Sequence, residues 1–132
     1  MEKVVLDSYV WLSYLLVDGS FAKAEKVLQE IFTGKKEGYI SAVNYGEVIY
    51  MTWRKRNEVM AKQAEEMMKN FPVIVVEPNL DDCINASYYK AKNTMSYADA
   101  FAASLTQRLD AILITGDPEF KPLKGKIKIQ FI

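Results

Sequence analysis

Four acids, Asp7, Glu47, Asp99 and Asp117, occupy positions where a carboxylate is poorly explained by solvent alone. Asp7 ends the β-branched run Val4-Val5-Leu6, and Asp117 follows Ala111-Ile112-Leu113-Ile114 after Thr115-Gly116. Asp99 is the only charge in Ser96-Tyr97-Ala98-Asp99-Ala100-Phe101-Ala102-Ala103. Those small residues suit close packing, where an ionised carboxyl is costly unless paired or hydrogen-bonded. Glu47 lies four residues after Val43 and three before Tyr50, which sets it on an apolar helix face. The chain has no histidine and one cysteine, Cys83. That excludes Ser-His-Asp and Cys-His triads and most protein zinc sites. Oxygen donors alone select hard cations such as Mg²⁺ or Mn²⁺, which position water and stabilise the attacking and leaving oxygens of a phosphoryl transfer. Each acid also has a simpler role. Asp7 and Asp117-Pro118 are good helix caps, Ser96-x-x-Asp99 has the outline of a capping box, and Glu47 can reach solvent from an apolar face. Taken singly, capping is the simpler account of the aspartates; together, four acids at one sheet edge would repel unless a cation neutralised them.

The elements that must position these acids follow from periodicity. Short apolar runs predict strands over residues 4–6, 37–40, 73–76 and 111–114, and alternation predicts an edge strand over 127–131. Pro72 and Pro78 bracket the third run. Helical spacing predicts helices over 8–17, 21–33, 42–56, onward to about 70, and over 80–92 and 96–109, with Gly34 as a stop and Ser41 as an N-cap. Alternating strands and helices imply an α/β fold of three layers, a central and mainly parallel sheet of about five strands flanked by helices, in a single domain over 1–132. In such sheets ligands gather beyond the carboxyl ends of the strands, where Asp7 and Asp117 belong.

Composition limits the function classes. Half of the 132 residues are apolar, enough for a sizeable core. Lys+Arg and Asp+Glu are equal at 17 each, so any basic surface must be local. No segment has the length of a membrane span or the pattern of a cleavable signal, and the single cysteine suits a reducing compartment, so the expectation is a soluble cytoplasmic protein.

At these residues the sequence resembles the PIN-domain family, particularly the VapC-type toxins of toxin–antitoxin pairs. Asp7-Ser8 corresponds to the family's opening Asp and small hydroxyl residue, and Glu47, after Ser41 and Asn44, to its helical Glu. Met95-Ser96-x-x-Asp99-Ala100 resembles its Leu-Ser-x-x-Asp-Ala segment, and Leu113-Ile114-Thr115-Gly116-Asp117-x-x-Phe120 its Leu-x-Thr-x-Asp-x-x-Phe segment. The order and spacing match nearly end to end, with Asn44 standing where many relatives carry Thr. The resemblance implies a Rossmann-like PIN fold, with Asp7, Glu47, Asp99 and Asp117 holding Mg²⁺ or Mn²⁺ for RNA hydrolysis that leaves a 5′-phosphate. It also implies a homodimer and a small antitoxin protein, encoded alongside, whose tail blocks the site. Ser8, Asn44, Ser96 and Thr115 are then expected to orient carboxylates or water.

Two basic clusters are candidate RNA contacts, Arg54-Lys55-Arg56 and the C-terminal Lys121, Lys124, Lys126 and Lys128. Arg54 is the preferred one, about two helical turns from Glu47, though charges on a helix end or an edge strand usually serve solvation. Trp11, Trp53, Tyr45 and Tyr50 are candidate base-stacking or partner-groove residues, and Met60, Met67 and Met68 a candidate adaptable interface; core packing is the simpler role for both groups. Three other readings compete. A HAD-type phosphatase wants an acid two positions after Asp7, where Tyr9 stands; a receiver-like signalling domain wants an Asp where Val75-Val76-Glu77-Pro78 offers Glu; and a PIN fold can bind RNA or protein without turnover.

Overall fold

β1 (Lys3–Leu6) lies at the centre of the sheet because its apolar residues can be buried on both faces: Val4, Val5 and Leu6 are all fully buried. A computed structural model describes all of the residues, 1–132. β2 (Glu37–Ser41) and β3 (Val73–Val76) extend the sheet on one side of β1, and β4 (Ile112–Thr115) and β5 (Lys128–Phe131) on the other. The strand order is β3-β2-β1-β4-β5, and every pairing is parallel. The chain builds outward from β1 in one direction, then returns to pair β4 on its other side, in register from Val4 opposite Ile112 to Leu6 opposite Ile114. The switch in winding therefore falls between the carboxyl ends of β1 and β4, where such sheets open a crevice.

Six helices cover the two faces: α1 (Ser8–Leu16), α2 (Phe21–Phe32), α3 (Ala42–Lys55), α4 (Glu58–Lys69), α5 (Leu80–Lys92) and α6 (Tyr97–Leu109). Val4, Leu6 and Ile114 pack under α1, α2 and α4 through Val10, Trp11, Leu28, Ile31 and Met68. Val5 and Leu113 face the opposite layer, where α5 and α6 supply Ala86, Ala100, Phe101, Ala103 and Leu105. The pleat thus sends alternate residues into separate cores. α2 approaches so closely that a Cβ on Gly38 would lie 2.6 Å from Ile31 Cδ1. α3 bridges the two layers at the carboxyl edge, with Val43 in one core and Val48 in the other.

The expected elements are all present, with ends shifted by a residue or so. The sequence reading marked Asp117-Pro118 as a helix cap but gave no helix after it; a 3₁₀ helix, Pro118–Leu123, starts directly after Asp117 and buries Phe120 and Leu123. No helix is long and apolar enough to cross a membrane.

Candidate active site and metal centre

The ends of β1 and β4 deliver Asp7 and Asp117 to one crevice, and the first turn of α6 and the middle of α3 bring Asp99 and Glu47 to the same walls. All four acids line a cavity of about 360 Å³. Asp7 and Asp99 are buried, whereas Glu47 and Asp117 are partly exposed.

The aspartates combine capping with convergence, so the two readings of each residue are compatible. Asp7 caps α1, its Oδ1 accepting from the Tyr9 N–H at 3.1 Å, while Oδ2 accepts from the Thr115 hydroxyl at 2.5 Å. The same Thr115 Oγ1 accepts from the Asp117 N–H at 3.0 Å, linking the ends of both central strands through one side chain. Asp117 caps the 3₁₀ helix, with Oδ1 accepting from the Glu119 N–H at 2.9 Å. Ser96 caps α6 by accepting from the Asp99 N–H at 3.1 Å. Ser8 donates to Glu47 Oε1 and so holds that carboxylate against the start of α1. Asn44 is fully buried, and its Nδ2 donates to the Ala98 carbonyl at 3.1 Å, pinning α3 to the first turn of α6. This bond fixes the helix of Glu47 relative to that of Asp99.

Crowding these acids shifts their proton affinities. Burial, with the nearby charges of Asp99 and Asp117, pushes the Asp7 carboxyl up to about 8 against the lowering effect of the Thr115 hydrogen bond. Burial, then the charges of Asp117 and Glu47, pushes Asp99 up to about 6. Carboxyls held so far above their usual range mark a site short of positive charge. The donor set suits a hard divalent ion, since Asp99, Asp117 and Glu119 bring carboxylate oxygens within 4.8 Å of one another and no nitrogen or sulfur ligand competes.

Sequence reasoning missed Glu119, Tyr9 and Asp18, which line the cavity, and within the basic cluster Arg54-Lys55-Arg56 it preferred Arg54, whereas the member that lines the cavity is Lys55. The available signal for Glu119 was its place two residues after Asp117 in a turn that starts with proline. Tyr9 packs its ring where a Cβ on Gly116 would come within 2.1 Å, so glycine there permits the close approach of α1 to the loop after β4. Arg54 lies outside the cavity, its guanidinium 5.5 Å from the Tyr50 ring centre. Tyr50 and Trp53 are about half exposed, so the apolar face carrying Glu47 is narrower than the sequence suggested. Lys126 and Lys128 line an open cavity by the start of β4 and β5, at the opposite edge of the sheet. Trp11 and Met68 are core residues, while Trp11 also edges a second cavity of about 290 Å³ with Tyr14, Leu28, Phe32, Met67 and Phe71.

Comparison with known proteins gives this geometry a context. The PIN domain family model matches residues 4–126. No curated protein sequence matches the chain. Among solved structures, the VapC20 toxin of Mycobacterium tuberculosis, described as cleaving the sarcin–ricin loop, superposes with a TM-score of 0.76 at 16% identity over 90% of this chain and 93% of that one. VapBC-1 of nontypeable Haemophilus influenzae gives 0.70 at 22% identity over 98% and 97%. VapBC2 of Rickettsia felis, bound to a DNA fragment from its promoter, gives 0.75 at 10% identity over 98% of each chain.

Proposed function

The chain belongs to the PIN domain family, and on that premise we propose that it is a divalent-metal-dependent endoribonuclease, the toxin of a toxin–antitoxin pair. The observation that carries the reading is that Asp7, Glu47, Asp99 and Asp117, contributed by separate elements, line one cavity at the switch point of a parallel sheet. Asp7, Asp99 and Asp117 would hold the ion, with Glu47 and Glu119 as further oxygen donors, Asp99, Asp117 and Glu119 being the three whose carboxylate oxygens already lie within 4.8 Å of one another, and Mg²⁺ or Mn²⁺ is the cation that such donors favour. A bound divalent cation supplies charge neutralisation for the scissile phosphate and acidifies the attacking water.

The protein's own groups do the positioning. Thr115 holds Asp7 and the Asp117 backbone in a fixed relation, Ser8 aims Glu47, and Asn44 locks the two helices that carry Glu47 and Asp99. In hydrolysis a water oxygen bonds to phosphorus as the bond to the 3′ oxygen breaks, leaving a 5′-phosphate. The acid wall accepts the proton given up by water, and the departing 3′ oxygen takes up a proton to leave as a 3′-hydroxyl. The related complexes with antitoxins support a regulatory partner for this chain, and the apolar cavity around Tyr14, Phe32 and Phe71 offers such a partner a surface to cover.

The test is cleavage of single-stranded RNA with and without a chelator, in wild type and Asp99→Asn. Cleavage that needs the metal and is lost in the folded variant supports a nuclease. Activity that survives chelation, or an active Asp99→Asn, defeats the mechanism. A folded, metal-binding wild type with no cleavage of any RNA would favour the alternative of a PIN fold that binds without turnover.

A further inference from the structure

The acid cavity does not end at the acids. On one side α3 presents Glu47, Met51 and Lys55, spaced by four residues each and so aligned along one helix face. On the other side α1 presents Leu12 and Leu16. The far end is held shut by Arg56, whose Nη2 donates to the Leu16 carbonyl at 3.2 Å and ties the end of α3 to the end of α1. The result is a trough that begins at the carboxylates and runs about 12 Å, eight helical residues, along α3.

Its charge is one-sided. Every other charged residue lining it, including Asp18 and Glu119, is acidic, and Lys55 is the only cation. Lys55 is exposed and forms no salt bridge. Asp18 is the acid at the distal end, and its oxygens already accept from the Ser13 hydroxyl at 3.1 Å and the Ser20 N–H at 2.8 Å. With a divalent ion offsetting part of the proximal negative charge, the trough holds a free ammonium beyond an apolar stretch formed by Leu12, Met51 and Leu16. A single strand of RNA has matching chemistry, with anionic phosphates separated by sugars and bases whose faces tolerate apolar contact.

We propose that this trough seats the RNA strand flanking the scissile bond, and that Lys55 contacts a backbone phosphate next to the one that is cut. The proposal rests on the ribonuclease reading above. Lys55 is a substrate-positioning residue of low sequence selectivity, because an ammonium reads phosphate charge and not base identity. Arg54, one residue earlier, is turned by about 100° around the helix and out of the trough.

The experiment has two arms. In the first, binding of single-stranded RNA oligonucleotides to the protein with its four acids intact is titrated against KCl, with and without Lys55→Ala, in Ca²⁺, which oxygen ligands also hold, the oligonucleotides being checked for integrity afterwards. Loss of one phosphate contact should weaken oligonucleotides of different sequence by a similar factor and lower the slope of log affinity against log salt by about 0.7. Lys55→Arg should restore the slope, and Lys62→Ala, which removes an exposed charge on α4, should not change it. In the second arm, Lys55→Ala in the otherwise unaltered enzyme should raise KM several-fold with a much smaller change in kcat. An unchanged salt slope, or a loss confined to kcat, overturns the proposal. A wild type without chelator-sensitive cleavage would instead defeat the ribonuclease reading, and the binding arm would still decide whether Lys55 holds RNA.

Discussion

Asp7 carries a proton in the cation-free protein at pH 7, because burial and its acidic neighbours raise its carboxyl to about 8. The sign of the consequence is fixed. An acid whose folded value lies above its ordinary 3.8 binds more protons folded than unfolded, so stability falls as pH rises between those values. Asp99, raised to about 6, adds to the fall at the lower end of that window. Thermal unfolding in chelator should therefore show a melting temperature that declines from pH 5 to pH 8, and Asp7→Asn should flatten the decline and melt higher than wild type at pH 8. A wild type that gains stability over that range would show that the acids are not crowded as described. Asp99→Asn should likewise keep or slightly raise the melting temperature in chelator while losing nearly all metal-dependent cleavage, since the amide relieves repulsion but is a far weaker ligand.

At the scale of elements, α1 does two jobs, and its ends show how. Its start is fixed by the Asp7 cap, and its end is forced to turn at Val17, which sits at φ 54°, ψ 57° in the left-handed region. A β-branched residue is poorly suited to that region, and Val17 is 68% exposed, so its side chain returns little packing. Val17→Gly should stabilise the protein by about 1 kcal/mol in denaturant unfolding, the strain relieved exceeding the entropy cost of glycine. Destabilisation would mean that the valine packs in solution. The same element shows what was legible in the sequence. Continuous apolar strands identify themselves, and Asp7, Asp99 and Asp117 could be placed because each abuts a strand end or a helix start. Lys55 and Glu119 could not, because their roles depend on the rotation of α3 against α1 and on a 3₁₀ turn in place of an α-helix. Three residues per turn and 3.6 send side chains to different sides within a single turn. Nothing local in Arg54-Lys55-Arg56 distinguishes the residue over Tyr50 from the one in the trough and the one that closes it.

For the whole molecule, the sheet's winding and the acids' titration are two aspects of one design. Placing β1 beside β4 brings Asp7 and Asp117 together with Asp99 close by, and the resulting repulsion is a cost the fold carries until a cation arrives. Metal binding must then expel the protons that Asp7 and Asp99 hold, so affinity should rise with pH up to about 8 and weaken at pH 5.5, where both carboxyls are largely protonated. At a free cation concentration one hundred times the dissociation constant, binding stabilises the folded state by about 2.7 kcal/mol. For a chain of this length that corresponds to a rise on the order of 8 °C in melting temperature. Mg²⁺ or Mn²⁺ at fixed concentration should therefore raise the melting temperature markedly at pH 8 and little at pH 5.5, reversing the pH trend seen in chelator. Calorimetry in two buffers of different ionisation enthalpy should register proton release on binding at pH 7, reduced in Asp7→Asn. A melting-temperature increment independent of pH would place the cation elsewhere on the surface, and the crowded acids would then need another explanation.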